Sequence, residues 1–185
     1  MADLRRVVIT GFGLVSPLGN TVEALRENAF AGKSGIKPFM GDFAELLNCK
    51  VTAQAEFDPA NYFSKKSDYA ILDRNGQMAL HASIEAVKHA NLTLNDALKK
   101  QSGVYIGTGM GGILSVEDGY QTLYKNGENR LKPYTVLMCM YNSAASAIAT
   151  HFQVSGPNLT FTTACSSSAV AIGQAYKDIR LGDID

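Results

Sequence analysis

Cys165 is the residue best placed to do chemistry. It follows Leu159-Thr160-Phe161-Thr162, an alternating β-rich run that predicts a buried strand, and precedes a stretch with apolar and small residues at helical spacing, Ala169, Ile172, Gly173 and Tyr176. The thiol therefore falls on the turn where a strand feeds a helix. Unpaired N–H groups and the positive end of the helix dipole at such a turn favour a thiolate, and the sulfur can face a crevice at the strand end. The three serines after it can cap or shorten the first helical turn. The competing reading is a small buried hydrophobe, the commoner role of a free cysteine.

The elements that must position this thiol follow from the rest of the chain. Arg5 to Thr10 is a β-branched run that predicts a first strand entering Gly11-Phe12-Gly13, where glycine permits a tight turn or a close backbone approach. The full dinucleotide fingerprint is absent there, so a nucleotide fold is disfavoured. Asn20 or Thr21 is expected to cap a helix through Phe30, which Gly32 and Gly35 end. Val51–Ala55 predicts a short edge strand and Asp58-Pro59 a helix start, in an irregular surface excursion whose Tyr62 and Phe63 are packing groups. Helical spacing from about Lys66 to Ala90 predicts one long helix, with His81 and His89 as ordinary helix-face residues. Ser102–Thr108 reads as a core strand running into Gly109-Met110-Gly111-Gly112, and Ile113–Tyr124 as a helix ended by Lys125-Asn126-Gly127. From Pro133, residues Val136, Met140, Ala144, Ala147, Ile148 and His151 recur helically, with small residues that allow close packing. The order is that of a layered α/β unit.

Composition narrows the function. Seventeen basic and seventeen acidic residues cancel, so no strong field is available for nucleic acid. The odd count of three widely spaced cysteines fits a reducing compartment and excludes a disulfide framework, with Cys49 and Cys139 read as inert. The three scattered histidines give a metal site no support. The apolar stretch Val136–Val154 is interrupted by polar residues and reads as a buried helix, not a membrane span.

Thr163-Ala164-Cys165-Ser166-Ser167-Ser168, led by Gly156-Pro157, resembles the nucleophile segment of the β-ketoacyl synthases, the condensing enzymes of fatty-acid and polyketide synthesis. Arg6 to Gly19 resembles that family's first strand and loop, and Gly107 to Gly112 its central glycine-rich loop, so that three segments in family order span nearly the whole chain. The resemblance implies the N-terminal half of the thiolase-like layered fold over residues 1–185, a mixed β-sheet flanked by helices. It implies a cytoplasmic acyltransferase of lipid metabolism that uses Cys165 to extend an acyl thioester by two carbons through decarboxylative Claisen condensation. It places Met110 as the gate of the acyl pocket beside Gly111, and Tyr134, Leu137, Met138 and Met140 along that pocket. Asp73-Arg74-Asn75 matches a polar turn on the active-site side, against the plainer reading of an ion-paired helix face. No cofactor is expected on the enzyme itself: phosphopantetheine rides on the acyl carrier protein, the implied partner. A homodimer, or a heterodimer with a related subunit, is implied as the assembly. The family's two catalytic histidines, its lysine and its second oxyanion donor match positions beyond residue 185, so residues 1–185 alone are expected to be inactive and to leave a core face and sheet edge uncovered. His151 is not assigned to that role. The alternatives are a non-catalytic, chain-length-determining partner subunit, which retained Cys165 opposes, and a coenzyme A-dependent thiolase-fold enzyme, which the Thr-Ala-Cys-Ser segment opposes. Fatty-acid and polyketide pathways stay undivided at this point.

Overall fold

Two apolar runs far apart in sequence form the centre of the chain. The computed structural model describes residues 4–41 and 43–185. In it β3 (Val104–Gly107) pairs in parallel with β4 (Asn158–Phe161), Val104 opposite Asn158 and Gly107 opposite Phe161. A parallel pair needs a long crossover, and α4 (Ile113–Tyr120), α5 (Thr135–Cys139) and α6 (Ser143–Phe152) supply it. Alternation along β3 sends Val104 and Ile106 to one face, where they join Leu80, Ala145 and Ile148 from α2 (Arg74–His89) and α6. On the other face Tyr105 donates to Asp178 of α7 (Ser167–Leu181) at 2.6 Å. Burial and that facing carboxylate push the Tyr105 phenol well above its ordinary pKa, so it stays a donor. The small residues of α6 let α2 approach closely, with Ala144 and Ala145 essentially fully buried. This is an α/β fold in three layers. A separate antiparallel pair, β1 (Lys37–Pro38) and β2 (Val51–Thr52), ties the surface excursion together.

Local chemistry explains most element ends. Thr21 caps α1 (Val22–Phe30) by accepting from the Ala24 N–H at 3.1 Å, and Gly32 leaves that helix with φ +66°. Asp58 accepts from the Ala60 N–H, though the element it starts is one 3₁₀ turn, Pro59–Asn61. The helix from Ile113 ends in a π-helical turn, Gln121–Lys125, and Gly127 exits at φ +66°. Among the described residues no helix is long and apolar enough to cross a membrane.

Several expectations are corrected. The long helix starts at Arg74, not Lys66, because the Asp73 carboxylate caps it through the Asn75 N–H. Arg74 has no ion pair among the described residues: its guanidinium donates to the Ala55 and Phe57 carbonyls and lies over the Phe57 ring. The Val136–Val154 stretch is two helices broken at Met140, whose ψ of 141° is extended, and Val136 is exposed. Arg5–Thr10 forms no strand. Only the Arg5 N–H reaches a backbone acceptor, Arg180 O, and Val8 and Ile9 are exposed, since no strand lies alongside among the described residues. Gly13 still makes a close approach, because a β carbon there would fall 1.8 Å from the Ala82 carbonyl of α2. In β4, Leu159 is exposed rather than buried, with Ile172 of α7 also open, in keeping with the uncovered core face expected from the sequence.

His81 also departs from expectation. It is buried, 4.2 Å from the Tyr62 ring and 5.6 Å from that of Phe57, and its Nε2 has no partner among the described residues. His89 instead accepts from the Phe12 N–H at 3.0 Å. Burial lowers the His81 pKa from its ordinary value. The unfolded chain therefore takes up this proton first on acidification, so the His81 contribution is complete above about pH 6.5 and is lost as pH falls below it. Urea midpoints measured across that window are expected to fall less steeply with acid in His81→Phe than in the unsubstituted protein; parallel curves contradict the assignment.

Candidate active site

The Cys165 turn is built from small side chains bonding to nearby backbone. β4 ends at Phe161, Ala164 takes φ +51°, and Ala164–Ser166 form one 3₁₀ turn before α7 begins at Ser167. A left-handed alanine is strained by roughly 1–2 kcal/mol, and the serines hold it there. The buried Ser167 hydroxyl accepts from the Thr163 N–H at 2.8 Å, donates to the Ala164 carbonyl at 2.7 Å, and lies 3.2 Å from the Thr108 carbonyl. Ser166 donates to the Thr163 carbonyl at 2.7 Å. The serines thus brace the turn, and Ser166, at the N-cap of α7, makes no side-chain capping bond. Cys165 is exposed on this turn, unlike a cysteine buried as a small hydrophobe. Among the described residues nothing accepts its backbone N–H, which leaves a donor free beside the sulfur.

The glycine-rich loop stands against the same strand end. Thr108 continues β3 by donating to the Phe161 carbonyl at 3.0 Å, and its hydroxyl accepts from the Gly111 N–H at 3.1 Å. Gly111 has φ +56°, and a β carbon at Gly112 would sit 1.9 Å from the Met138 carbonyl, so the loop lies directly on α5. Met110 is exposed at its crown.

The expected pocket residues divide into two groups. Leu137 and Met140 line a cavity of about 570 Å³ with Ile71, Leu80 and His151. Met110, Gly111, Tyr134, Met138 and Cys165 do not line it. Neighbouring positions of a short helix face different ways: α5 turns the Met138 carbonyl to the glycine loop and Leu137 to the cavity. Tyr134 is half exposed and outside both groups. Cys49, taken as inert, is exposed, and Cys139 directs its thiol to the Val136 carbonyl. Among the described residues no cluster of His, Cys, Asp or Glu could hold a metal ion.

Sequence reasoning missed the working parts of Ser167 and Thr108. Ser167 stands among three identical serines, and only the fold separates the buried one. The sequence marks Asp73 and Asn75 as polar but does not show their partners. The Asp73 carboxylate, only 3% exposed, accepts from the Ser115 N–H at 2.8 Å and the Ser115 hydroxyl at 2.7 Å, while Asn75 donates to the Thr108 hydroxyl at 3.3 Å.

Comparison with known proteins identifies the family. Residues 4–185 match the family described as Beta-ketoacyl synthase, N-terminal domain. The chain belongs to the β-ketoacyl synthase family. It is 34% identical over 186 residues to 3-oxoacyl-[acyl-carrier-protein] synthase 2 of Staphylococcus aureus (strain N315), covering 100% of this chain and 45% of that protein. It is 34% identical over 184 residues to the protein of that name from Coxiella burnetii (strain RSA 493 / Nine Mile phase I), covering 99% and 44%. The chain spans about half the length of these curated relatives. The solved ishigamide ketosynthase/chain length factor superposes with a TM-score of 0.85 at 27% identity, over 98% of this chain and 46% of that one. The fold is thus the thiolase-like α/β architecture of the ketosynthases.

The bracing of the Cys165 turn by one serine is directly testable. Ser167→Ala leaves the Thr163 N–H unpaired and is expected to lower stability by about 1–3 kcal/mol in urea unfolding. Ser168→Ala, at an exposed position without a side-chain hydrogen bond among the described residues, is expected to stay within about 0.5 kcal/mol. Equal effects contradict the bracing role.

Proposed function

We propose that this chain supplies the acyl-accepting half of a carrier-protein-dependent condensing enzyme, with Cys165 as nucleophile. The observation that carries the reading is the exposed thiol on the braced turn, with an unclaimed N–H on the same residue. The Cys165 thiolate attacks the carbonyl carbon of an acyl thioester carried on phosphopantetheine. Its own N–H donates to the developing oxyanion, the carbon–sulfur bond to the carrier breaks, and the carrier thiolate takes up the proton that the Cys165 thiol gave up. The acyl chain then sits on sulfur as a thioester. A malonyl thioester loses carbon dioxide, its carbanion forms the new carbon–carbon bond at the acyl carbonyl, and the carbon–sulfur bond breaks to return the Cys165 thiolate. The product is a β-ketoacyl carrier protein two carbons longer.

Donors for the malonyl step belong, in this reading, to the remainder of such a protein, and residues 1–185 by themselves do not condense. In this reading Met110 gates the acyl pocket beside Gly111, and Tyr134, Leu137, Met138 and Met140 lie along it, Leu137 and Met140 being the two that line the cavity described above. The names of the relatives support an acyl carrier protein as the partner. A dimer, with itself or with a related subunit, is the assembly proposed. The non-catalytic partner-subunit reading is disfavoured by an exposed cysteine at this turn.

The test is condensation by the protein at its natural length, supplied with acyl and malonyl carrier proteins. Cys165→Ala is expected to reduce β-ketoacyl product about a thousandfold or more, while Cys49→Ala leaves it unchanged. Retained condensation in Cys165→Ala overturns the assignment.

A further inference from the structure

The glycine-rich loop and the nucleophile turn are linked by one residue, Thr108. Its N–H donates to the Phe161 carbonyl at 3.0 Å, and its carbonyl lies 3.2 Å from the buried Ser167 hydroxyl that braces the Cys165 turn. Its own hydroxyl accepts from the Gly111 N–H at 3.1 Å and from the Asn75 side-chain amide at 3.3 Å. Thr108 is itself buried. The tip of α2 also reaches past the far end of the loop, where Asp73 takes both the N–H and the hydroxyl of Ser115.

The loop is therefore clamped at both ends by one helix tip and open only at its crown. A β carbon at Gly109 would meet no atom within 4 Å, and Met110 is 60% exposed. Gly111 and Gly112 lie tight against Tyr141 and Met138. Any shift of the Thr108 hydroxyl moves the Gly111 N–H, and with it the crown, relative to the Cys165 turn.

We propose that Thr108 and Asn75 are positioning residues that set the length of acyl chain Cys165 accepts, by fixing the Met110 crown in register with the nucleophile turn. This rests on the acyl-transfer reading above. With Met110 as the gate of the acyl pocket, as that reading has it, a long acyl chain passes the crown whereas a short one ends before it. Loosening the crown therefore acts on the long chain first, and a misplacement of about 1 Å is enough for a large rate effect.

The test uses the protein at its natural length and follows Cys165 acylation by intact mass, with a short-chain and a long-chain acyl thioester in parallel. Thr108→Val removes the hydroxyl acceptor at nearly constant shape, and is expected to lower the long-to-short rate ratio about tenfold. Iodoacetamide alkylation of Cys165 is expected to stay within about twofold. Thr108→Ser, which keeps the hydroxyl, is expected to restore the ratio. Asn75→Ala, on the part-buried helix tip, moves the ratio the same way and serves if Thr108→Val fails to fold. An unchanged ratio, or an equal loss for both chains, overturns the positioning role. Failure of the unsubstituted protein to take either acyl group while iodoacetamide still reacts overturns the acyl-transfer reading itself, and this inference with it.

Discussion

The site depends on the parallel pairing of β3 with β4 in a register that brings their carboxyl ends level. Parallel strands send both following segments out at the same end of the sheet, the position where α/β folds place their ligands. Here the pairing runs one step beyond the ladder, through the Thr108 N–H and the Phe161 carbonyl. The glycine-rich loop and the Cys165 turn therefore emerge side by side from strands more than fifty residues apart in sequence. Gly107 completes the arrangement. A β carbon there would lie 2.3 Å from the Ser167 carbonyl carbon, so the first turn of α7 can sit on the strand end only because that position has no side chain.

Polar groups around the thiol divide by burial. Asp73, Thr108, Ser115 and Ser167 are all buried, and their described bonds run to backbone, to one another or to the Asn75 side chain. Such groups are costly when left unpaired and stiffening when paired. Cys165 and Met110, which face the chemistry in the proposed reaction, are the exposed members of the same neighbourhood. A rigid buried polar frame carrying two exposed side chains suits a group that must accept a bulky acyl donor and then hold it for a second substrate.

What was legible in the sequence was local. The strand-to-helix change around Cys165, the Thr21 cap and the strand before Gly109 each rest on chemistry within a few residues, and the fold bears them out. Helical spacing alone carries the long helix back to about Lys66, whereas the capping carboxylate of Asp73 decides where α2 begins. Arg5–Thr10 has strand composition, but composition cannot supply the neighbouring backbone a strand requires. His81 and His89 look alike by periodicity. Only the excursion, folding back Phe57 and Tyr62, buries one of them. The six expected pocket residues are grouped by resemblance, whereas α5 turns Leu137 to the cavity and the Met138 carbonyl to the glycine-rich loop, so the cavity takes only Leu137 and Met140 of the six.

The central claim is that Cys165 carries the acyl group, and peptide-level mass spectrometry tests it most directly. The protein at its natural length, mixed with an acyl carrier thioester and quenched, is expected to show the acyl mass on the peptide containing Cys165, released by hydroxylamine as a thioester. An acyl group found on exposed Cys49 instead, or on no cysteine while the carrier thioester stays intact, contradicts the account.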